Sequence, residues 1–397
     1  MNKKHLVLAA SAAFLSFSSI AQKTAFGELL DDINTVTTAV PFLQIAPDSR
    51  AGAMGDVGVA TSPDANSVHW NAAKLGFLDR KAGLSISYTP WLSNLVDDIN
   101  LAYVSYYQPV GRRDQGIAVS LRYFSLGNIT FRDEQGTEIN QFNPNEFALD
   151  FAYGRKLGDN LSGGLALRYI FSNLTGGADA GGYITKPGQS VATDVSLFFD
   201  SEEFDLGDYD ANITAGLNIS NIGAKISYTE SGERDFIPTN LRLGTALNIE
   251  LDSYNKLSVI LEANKLLVPT QPRIERDTTT GEDVIVAGKD PNVSVAQGMI
   301  QSFSDAPGGA KEEWREVIFG AGLEYWYNDQ FAFRTGYFHE HETKGNRKYV
   351  TFGAGLKYNV FNIDFAYLVP AAQGVRPPFE NTLRFTLIFD LDAFAEQ

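Results

Sequence analysis

The sequence contains no cysteine and only four histidines among its 397 residues. The lack of cysteine excludes a disulfide framework, a thiolate nucleophile and a cysteine-based metal site. Basic residues are also few: 32 lysines and arginines stand against 48 aspartates and glutamates, for a formal net charge of −16. Nucleic-acid binding requires a basic surface that neutralises phosphate, so this composition argues against nucleic acid as a partner.

Long hydrophobic runs are missing after residue 21, where no stretch approaches the ~20 consecutive apolar residues of a transmembrane helix. Residues 1–21 combine Lys3 and Lys4 with an apolar run that ends at Ile20 and a small residue, Ala21. This pattern is typical of a cleaved secretory signal peptide, and a buried N-terminal helix is the alternative. Cleavage after Ala21 would change the formal charge from −16 to −18. The mature chain is therefore predicted to be either soluble or a β-barrel.

Residues 22–81 lack strand periodicity and are rich in glycine, alanine, aspartate and asparagine, with Trp70 and Phe77 as apolar anchors. We interpret them as an N-terminal periplasmic segment and a compact plug for a barrel lumen. Within the plug, Asp48 is expected to meet a lumen arginine and Arg50 a lumen acid, which would lock the plug to the barrel. The alternative is that Asp48 and Arg50 form part of a gate through which an amphiphilic molecule passes.

From Ala82 onward, segments of about ten residues alternate apolar and polar, as the strands of an outer-membrane barrel do. In residues 147–154 one phase reads Phe, Leu, Phe, Tyr and the other Ala, Asp, Ala, Gly, so one face is apolar and the other small or charged. About fourteen such segments occur between residues 82 and 397. They predict an all-β fold: a transmembrane, antiparallel, up-and-down β-barrel with an N-terminal plug.

A soluble β-sandwich would show the same alternation, so the two must be distinguished by which residues occupy each phase. The apolar phase is dense in aromatics, as a lipid-facing surface with interfacial girdles requires. The other phase carries charges of both signs, as expected for a lumen filled with cross-barrel ion pairs. The aromatics assigned outward are Tyr103, Tyr107, Phe147, Phe151, Tyr153, Tyr169, Phe171, Tyr325, Tyr327, Phe361, Phe365 and Tyr367. The charges assigned to the lumen are Arg122, Asp150, Arg168, Asp194, Arg242, Glu262, Glu324, Arg334, Asp364 and Arg384.

The connections between these segments alternate in length, which also favours the barrel. Short connections such as residues 158–160 and 328–329 alternate with long ones such as residues 174–190 and 266–316. Outer-membrane barrels have short periplasmic turns and long extracellular loops. An even number of strands returns the C-terminus to the periplasm.

The longest connection, residues 266–316, contains the turn-rich stretch SFSDAPGGAKEEW, and residues 295–303 could form a short amphipathic helix. Structureless loops of this length are uncommon unless they function or are disordered. Apolar side chains in it would be costly if they were always in water, so we expect the loop to bind a partner or the barrel rim. The predicted partner-binding residues are Met299, Ile300, Phe303, Ser304, Asp305, Pro307 and Trp314.

Five blocks of sequence carry a resemblance to a known family. They are FLQIAPDSRAGAMGD (residues 42–56), SPDANSVHWNAAKL (62–75), NKLLVPT (264–270), SFSDAPGG (302–309) and residues 324–359, from EYWYNDQ to GLKYN. With these blocks the chain resembles the PorV-like outer-membrane components of the type IX secretion system, within the FadL-like family of fourteen-stranded barrels. The blocks run from the plug to the last third, so the resemblance extends over essentially the mature chain.

The resemblance implies a shuttle rather than an enzyme. PorV-like proteins dock on the translocon barrel in the outer membrane, receive secreted cargo through its C-terminal domain, and pass it to an attachment complex with a sortase-like peptidase. Outer-membrane lipid is a further expected partner. The alternative is a FadL-like transporter of hydrophobic small molecules such as long-chain fatty acids, and a role in processing lipopolysaccharide is a third possibility.

Catalytic and metal sites have little support in the sequence. His339 and His341 in HEHE would share a face of an extended segment and could bind zinc with a carboxylate, but we favour a charged strand end paired with Lys344, Arg347 and Lys348. A hydrolase would need a serine activated by a histidine, and His69 beside Trp70 is better explained by packing. We therefore predict no catalytic residue, cofactor or metal.

Overall fold

The computed structural model describes residues 33–78, 82–90, 98–111, 114–132, 135–177, 179–180, 183–229, 234–278, 281–371 and 382–391. Residues 34–397 form one compact unit. The expected signal peptide, residues 1–21, lies outside the described part of the chain.

None of the helices in the described residues is long and apolar enough to cross a lipid bilayer.

Fourteen long antiparallel strands form a closed sheet in which each strand pairs with its neighbours in sequence and β1 pairs with β14, from Gly83 opposite Asp390 to Tyr88 opposite Phe385. The prediction of a fourteen-stranded up-and-down barrel is confirmed. The strands are β1 (Gly83–Pro90), β2 (Ile99–Val110), β3 (Gln115–Leu126), β4 (Asn145–Lys156), β5 (Leu161–Asn173), β6 (Gly188–Asp200), β7 (Tyr209–Gly223), β8 (Asn240–Glu250), β9 (Asn255–Leu266), β10 (Ile318–Tyr327), β11 (Phe331–His339), β12 (Lys348–Tyr358), β13 (Phe361–Pro370) and β14 (Leu383–Asp390).

Side chains alternate between the two faces of the barrel as the period of two predicts. On β4, Leu149 and Phe151 are exposed on the outer face, whereas Ala148, Asp150 and Ala152 are buried inside. All ten charged residues that the sequence assigned to the lumen are buried. An apolar exterior with charges inside is the polarity of a barrel in lipid and the reverse of a soluble sandwich.

The sequence placed two aromatics on the wrong face. Tyr103 and Tyr107 of β2 are buried inside the barrel, where they pack with Val68 and Leu75 of the plug. Residues 101–107 are apolar on both phases, so periodicity alone could not decide which phase faces lipid. The other ten predicted aromatics lie on the outward phase.

The connections alternate in length as predicted, with tight turns at one end of the barrel and long segments at the other. In the three-residue turn between β10 and β11, Asn328 and Asp329 have φ angles of 53° and 52°, and Gln330 N donates to Tyr327 O at 3.1 Å, which closes a tight turn. Several connections carry additional strands that the sequence did not reveal. These are Ile129–Arg132 with Glu138–Phe142, Asp179–Ala180 with Tyr183–Ile184, Phe204–Leu206 beside β7, and Arg273–Arg276 with Asp283–Ala287.

The helices of the described residues are short and are not part of the barrel wall. In the N-terminal segment they are α1 (Ser49–Gly52) and α2 (Ser67–Trp70), with 3₁₀ turns at Pro41–Gln44 and Ala72–Phe77. In the connection between β9 and β10 they are α3 (Val295–Gln301) and α4 (Ala310–Arg315).

Residues 34–78 run through the lumen from one end of the barrel to the other. At the end with the long connections, the backbone N–H of Asn34 donates to Thr343 O at 3.0 Å. At the opposite end, a Cβ atom on Gly76 would lie 2.9 Å from the backbone N of Lys156, which ends β4. The chain then enters β1 beside the short turns. Residues 22–32, the larger part of the N-terminal segment that the sequence assigned to the periplasm, lie outside the described part of the chain.

Glycines on the inner face of the wall allow the plug backbone to approach the strands closely. At nine of them an added Cβ would lie 2.1–2.7 Å from a plug atom, closer than real Cβ atoms come to any neighbour. These glycines are Gly116, Gly154, Gly164, Gly216, Gly244, Gly320, Gly322, Gly336 and Gly353. Hydrogen bonds from wall side chains to the plug backbone accompany them, such as Thr214 Oγ1 to Ala60 O at 2.6 Å and Ser162 Oγ to Ala73 O at 2.7 Å. The plug is therefore an integral part of the barrel core.

Substitutions at two adjacent glycines of β5 test how closely the plug fits against the wall. A Cβ on Gly164 would lie 2.2 Å from the backbone N of Ala73, whereas a Cβ on Gly163, on the outer phase, would lie 3.2 Å from the flexible Leu157 side chain. We expect Gly164→Ala to destabilise the folded barrel by ~1–3 kcal/mol, as overpacking does, and Gly163→Ala to have a much smaller effect. Thermal unfolding in detergent, followed by circular dichroism, measures both. Equal stability of the two variants would contradict the fit.

Candidate functional site

The charges inside the barrel pair with neighbouring strands and with the plug, and not across the barrel as the sequence suggested. Arg168 on β5 contacts Asp150 on β4 and Asp194 on β6, the latter at 3.1 Å. Arg242 on β8 contacts Glu262 on β9 at 2.8 Å. Because the plug fills the lumen, the partners of a buried charge must come from the next strands or from the plug itself.

Arg50 forms the contact that the sequence assigned to it, with a lumen acid. Its guanidinium binds both carboxylate oxygens of Glu324 at 2.7 and 2.9 Å, and Nη1 also binds Asp64 at 2.9 Å. Glu324 in turn accepts from Arg334 on β11 at 2.6 Å. This bidentate arrangement fixes the plug to the wall in one orientation.

Asp48 does not bind the lumen arginine expected for it. Its carboxylate accepts from Ala51 N at 2.9 Å, as the N-cap of α1, and from Trp70 Nε1 at 2.7 Å, so both contacts lie within the plug. The lumen residue Arg384 instead binds Asp56 at 2.7 Å. Asp48 therefore shapes the plug, and Arg50 and Asp56 attach it to the wall.

The long connection between β9 and β10, residues 267–317, folds into a structured cap at the mouth of the barrel. It contains the hairpin of Arg273–Arg276 and Asp283–Ala287, followed by α3 and α4. The predicted helix at residues 295–303 is present as α3, where Ser294 caps the N-terminus by accepting from Gln297 N. Gly298 of this helix packs against Phe236 and Pro269, which fixes α3 to the neighbouring connection.

Helix α4 has an inverted polarity, by which we mean that its acidic residues face the protein interior and its large apolar residue, Trp314, faces solvent. Glu312 binds Lys344 at 2.6 Å, and Glu313 binds Lys265 at 3.1 Å. Glu316, just after the helix, is buried and contacts both lysines. Removing one partner of a buried ion pair typically costs ~3–5 kcal/mol, so this cluster holds the cap firmly to β9 and to residues 340–347.

The structure places the seven predicted partner-binding residues in three different environments. Ile300, Phe303 and Trp314 are 77%, 53% and 71% exposed, and Ser304 is exposed beside them in sequence. Met299 and Pro307 are half-buried. Asp305 is buried, and its Oδ2 accepts from Thr270 N at 3.2 Å, so this residue holds the cap together.

The hairpin adds exposed apolar residues that the sequence reasoning missed. Ile274, Val284 and Val286 are between 47% and 55% exposed, and Ile285 is 40% exposed. The signal that could have revealed them is the short run Val-Ile-Val in an otherwise polar connection. A cap fixed by buried charges thus displays apolar side chains that a soluble monomer rarely exposes together.

The HEHE stretch, residues 339–342, lies at the barrel rim, next to the residues that bind the cap. Glu340 binds Arg347 at 2.8 Å, as the strand-end interpretation expected, whereas Lys344 binds α4 instead. His341 Nδ1 lies 3.0 Å from Thr343 Oγ1. Within the described ranges, no group of three or more histidine, aspartate or glutamate side chains is arranged to hold a metal ion.

A cavity of about 520 Å³ opens at the mouth between the plug and the wall. Its apolar lining includes Phe42 and Ile45 from the plug and Phe124, Ile318 and Leu368 from the wall. Its charged lining residues form three ion pairs with one another: Asp56 with Arg384, Glu340 with Arg347, and Glu316 with Lys344. The cavity is thus largely apolar, and its charges are already neutralised.

Comparison with known families identifies a matching family model. The model of a family described as type IX secretion system protein PorV matches residues 29–273, more than half of the chain. A search of curated proteins gave no match.

Several solved barrels are similar in structure. The toluene transporter TbuX of Ralstonia pickettii is 13% identical, with 86% of this chain and 97% of that chain covered and a TM-score of 0.44. The toluene transporter TodX of Pseudomonas putida is 12% identical, with 90% and 97% covered and a TM-score of 0.43. A FadL homologue of Pseudomonas aeruginosa is 10% identical, with 90% and 99% covered and a TM-score of 0.39.

Asp305 should make the cap sensitive to pH. Burial, together with the nearby Glu313 and Glu316, raises the pKa of Asp305 to about 6, although the Thr270 N–H and Lys265 act in the opposite direction. Because the folded pKa lies above the unfolded value, the folded cap binds an extra proton between about pH 4 and 6 and loses stability as the pH rises through this window. Burial raises the pKa of Glu312, but Lys344 and the Gly308 N–H outweigh it and lower this pKa, so Glu312 shifts in the opposite direction to Asp305.

We expect hydrogen exchange in residues 267–317, corrected for intrinsic rates, to be slower at pH 5 than at pH 7. Asp305→Asn keeps the side-chain shape but cannot ionise, so it should remove this difference. The Thr270 amide is the most informative probe because it donates to Asp305. A variant that kept the full pH dependence of the wild type would show that another group is responsible.

Proposed function

The chain belongs to the PorV family of type IX secretion system proteins, and from this membership we propose that its extracellular cap binds partners during protein export. It is an outer-membrane β-barrel protein of a secretion system and not an enzyme. In this proposal the barrel docks on the translocon and receives the C-terminal domain of secreted cargo. It then delivers the cargo to an attachment complex with a sortase-like peptidase at the cell surface.

The observation that carries the proposal is the inverted polarity of α4. Three glutamates face inward to two lysines, and Trp314 is left 71% exposed. Ile300 and Phe303 in the same connection are also largely exposed. Protein interfaces derive most of their affinity from a few such apolar anchors, and a rigid support lowers the entropy cost of binding.

The filled lumen supports a function at the mouth rather than passage through the barrel. The plug is bonded to the wall by Arg50, by Asp56 and by backbone contacts at the inner glycines. A polypeptide could cross only if these contacts broke together. Partner binding at the cap requires none of them to change.

The triple variant Ile300→Ser, Phe303→Ser and Trp314→Ser tests this proposal. We expect the barrel to insert normally, because these side chains are exposed, and secreted cargo to accumulate in the periplasm. Loss of an anchor worth ~2 kcal/mol weakens binding roughly thirtyfold. Cell fractionation and a cargo immunoblot measure the result, and deletion of residues 295–309 should give the same phenotype.

The matched control replaces exposed polar residues of the same helices, Gln297→Ala and Lys311→Ala, and should secrete normally. Normal secretion from the triple variant would contradict the proposal. A barrel missing from the membrane would make the triple variant a folding mutant, and the three single substitutions would then be compared at equal membrane levels.

The mouth cavity favours a second candidate, the transport of hydrophobic small molecules such as long-chain fatty acids. Its volume of about 520 Å³ lies in the range of small-ligand pockets, and Phe42, Phe124 and Leu368 make part of its lining apolar. Transport would also require the plug to move away from Glu324 and Arg384. We therefore expect cells that lack the protein to take up labelled fatty acid at the wild-type rate while failing to secrete cargo. Reduced uptake with normal secretion would favour the transporter instead.

A further inference from the structure

The plug begins with a short segment that has the properties of an unpaired β-strand. Residues 35–38 read Thr-Val-Thr-Thr, a β-prone sequence, and form neither helix nor turn. Exposure alternates along them: Thr35 and Thr37 are exposed, whereas Val36 and Thr38 are half-buried. This period of two is that of an extended chain.

The backbone of this segment is not hydrogen-bonded to any other part of the described chain. The flanking residues are bonded, because Asn34 N donates to Thr343 O at 3.0 Å and Ala39 N donates to Phe236 O at 2.9 Å. Between these two anchors, the peptide groups of Thr35, Val36, Thr37 and Thr38 have no partner among the described residues. Backbone groups with no protein partner next to an apolar surface are costly unless water or a ligand satisfies them.

All four residues line the mouth cavity. The cavity therefore combines a fixed, extended main chain with apolar side chains, including Phe42, Ile45 and Ile318. An edge with free N–H and C=O groups is a template for another strand, which pairs through its main chain and places alternate side chains in adjoining pockets. A small hydrocarbon would fill the apolar part but leave the backbone groups unsatisfied.

The charges around the cavity restrict the ligand further. Its six charged lining residues form the ion pairs Asp56–Arg384, Glu340–Arg347 and Glu316–Lys344. A charged ligand group would have to break one of these pairs, so the ligand side chains that enter should be uncharged. The pair Glu316–Lys344 also anchors α4, so the cavity adjoins the cap.

We propose that residues 35–38 and the mouth cavity form a binding site for an extended, uncharged, β-prone peptide segment of a partner protein, which adds as a strand to residues 35–38. Four residues at ~3.3 Å each give a paired length of ~13 Å, which suits a peptide of about four to six residues. The proposal rests on the proposed function only for the source of the peptide, an exported protein.

The direct test uses the mature protein in lipid nanodiscs, so that no detergent competes for the cavity. The probe is a fluorescent, capped peptide of alternating threonine and valine, compared with the same peptide N-methylated at alternate residues and with one in which glutamate replaces each valine. We expect N-methylation and glutamate substitution each to weaken binding at least tenfold. Equal affinity for the N-methylated peptide would overturn main-chain recognition.

Variants of the protein provide an independent test. Successive N–H groups of a strand point to opposite edges, so either Val36→Pro or Thr37→Pro removes a donor that faces the open edge. We expect one of the two to weaken peptide binding at least tenfold, and the matched variants Val36→Thr and Thr37→Ala, which keep the N–H, to bind within about twofold of the wild type. If neither proline weakened binding, the proposed strand would be wrong.

Two further outcomes identify other occupants and would also overturn the proposal. Displacement of the peptide by equimolar lauric acid or toluene would identify a hydrocarbon site. Binding observed only after removal of residues 22–32 would identify the chain's own N-terminal segment as the occupant. Peptide binding with normal secretion from the cap variants would reject the proposed function but leave the peptide site in place, so the two failures are distinguishable.

Discussion

The closed antiparallel ladder is the constraint on which the rest of this structure depends. In a bilayer, each backbone N–H and C=O must find a partner within the protein, and pairing of β1 with β14 removes the last free edge of the sheet. Closure fixes which face of each strand meets lipid, because successive side chains alternate. It therefore also determines where charges can lie: Asp150, Arg168 and Arg334 are confined to the interior.

Charges that are confined inside a barrel need ion-pair or hydrogen-bond partners there, and the plug supplies the partners that the neighbouring strands do not. Neighbouring strands supply some partners, as in the contacts of Arg168 with Asp150 and Asp194. The plug supplies others, since Arg50 joins Glu324 and Asp56 joins Arg384. Inner-face glycines let the plug backbone lie directly against the wall, so shape and charge act together. In the proposed function, a lumen filled in this way directs partner binding to the mouth rather than to the interior.

At the mouth the usual distribution of polar and apolar residues is reversed. Lys265 and Lys344 hold the glutamates of α4 in buried pairs, and Trp314 remains in solvent. Buried ion pairs contribute little net stability compared with apolar packing, but they fix geometry, because an unpaired partner is costly. The result is a rigid cap with exposed apolar residues beside a cavity whose charges are neutralised, an arrangement suited to binding protein.

The sequence alone determined the barrel, the lengths of its connections, the ten buried charges and helix α3, because each is encoded in local periodicity, spacing or composition. Tertiary structure decided the features that depend on distant residues. It turned Tyr103 and Tyr107 inward, since both phases of β2 are apolar, and it paired the lumen charges between adjacent strands because the plug fills the centre. It also buried Asp305 within the cap and brought residues 35–38 to the mouth, where their backbone lies beside the cavity. A one-dimensional pattern specifies which side of a strand is apolar, but which partner a buried group meets is decided only when the barrel closes around the plug.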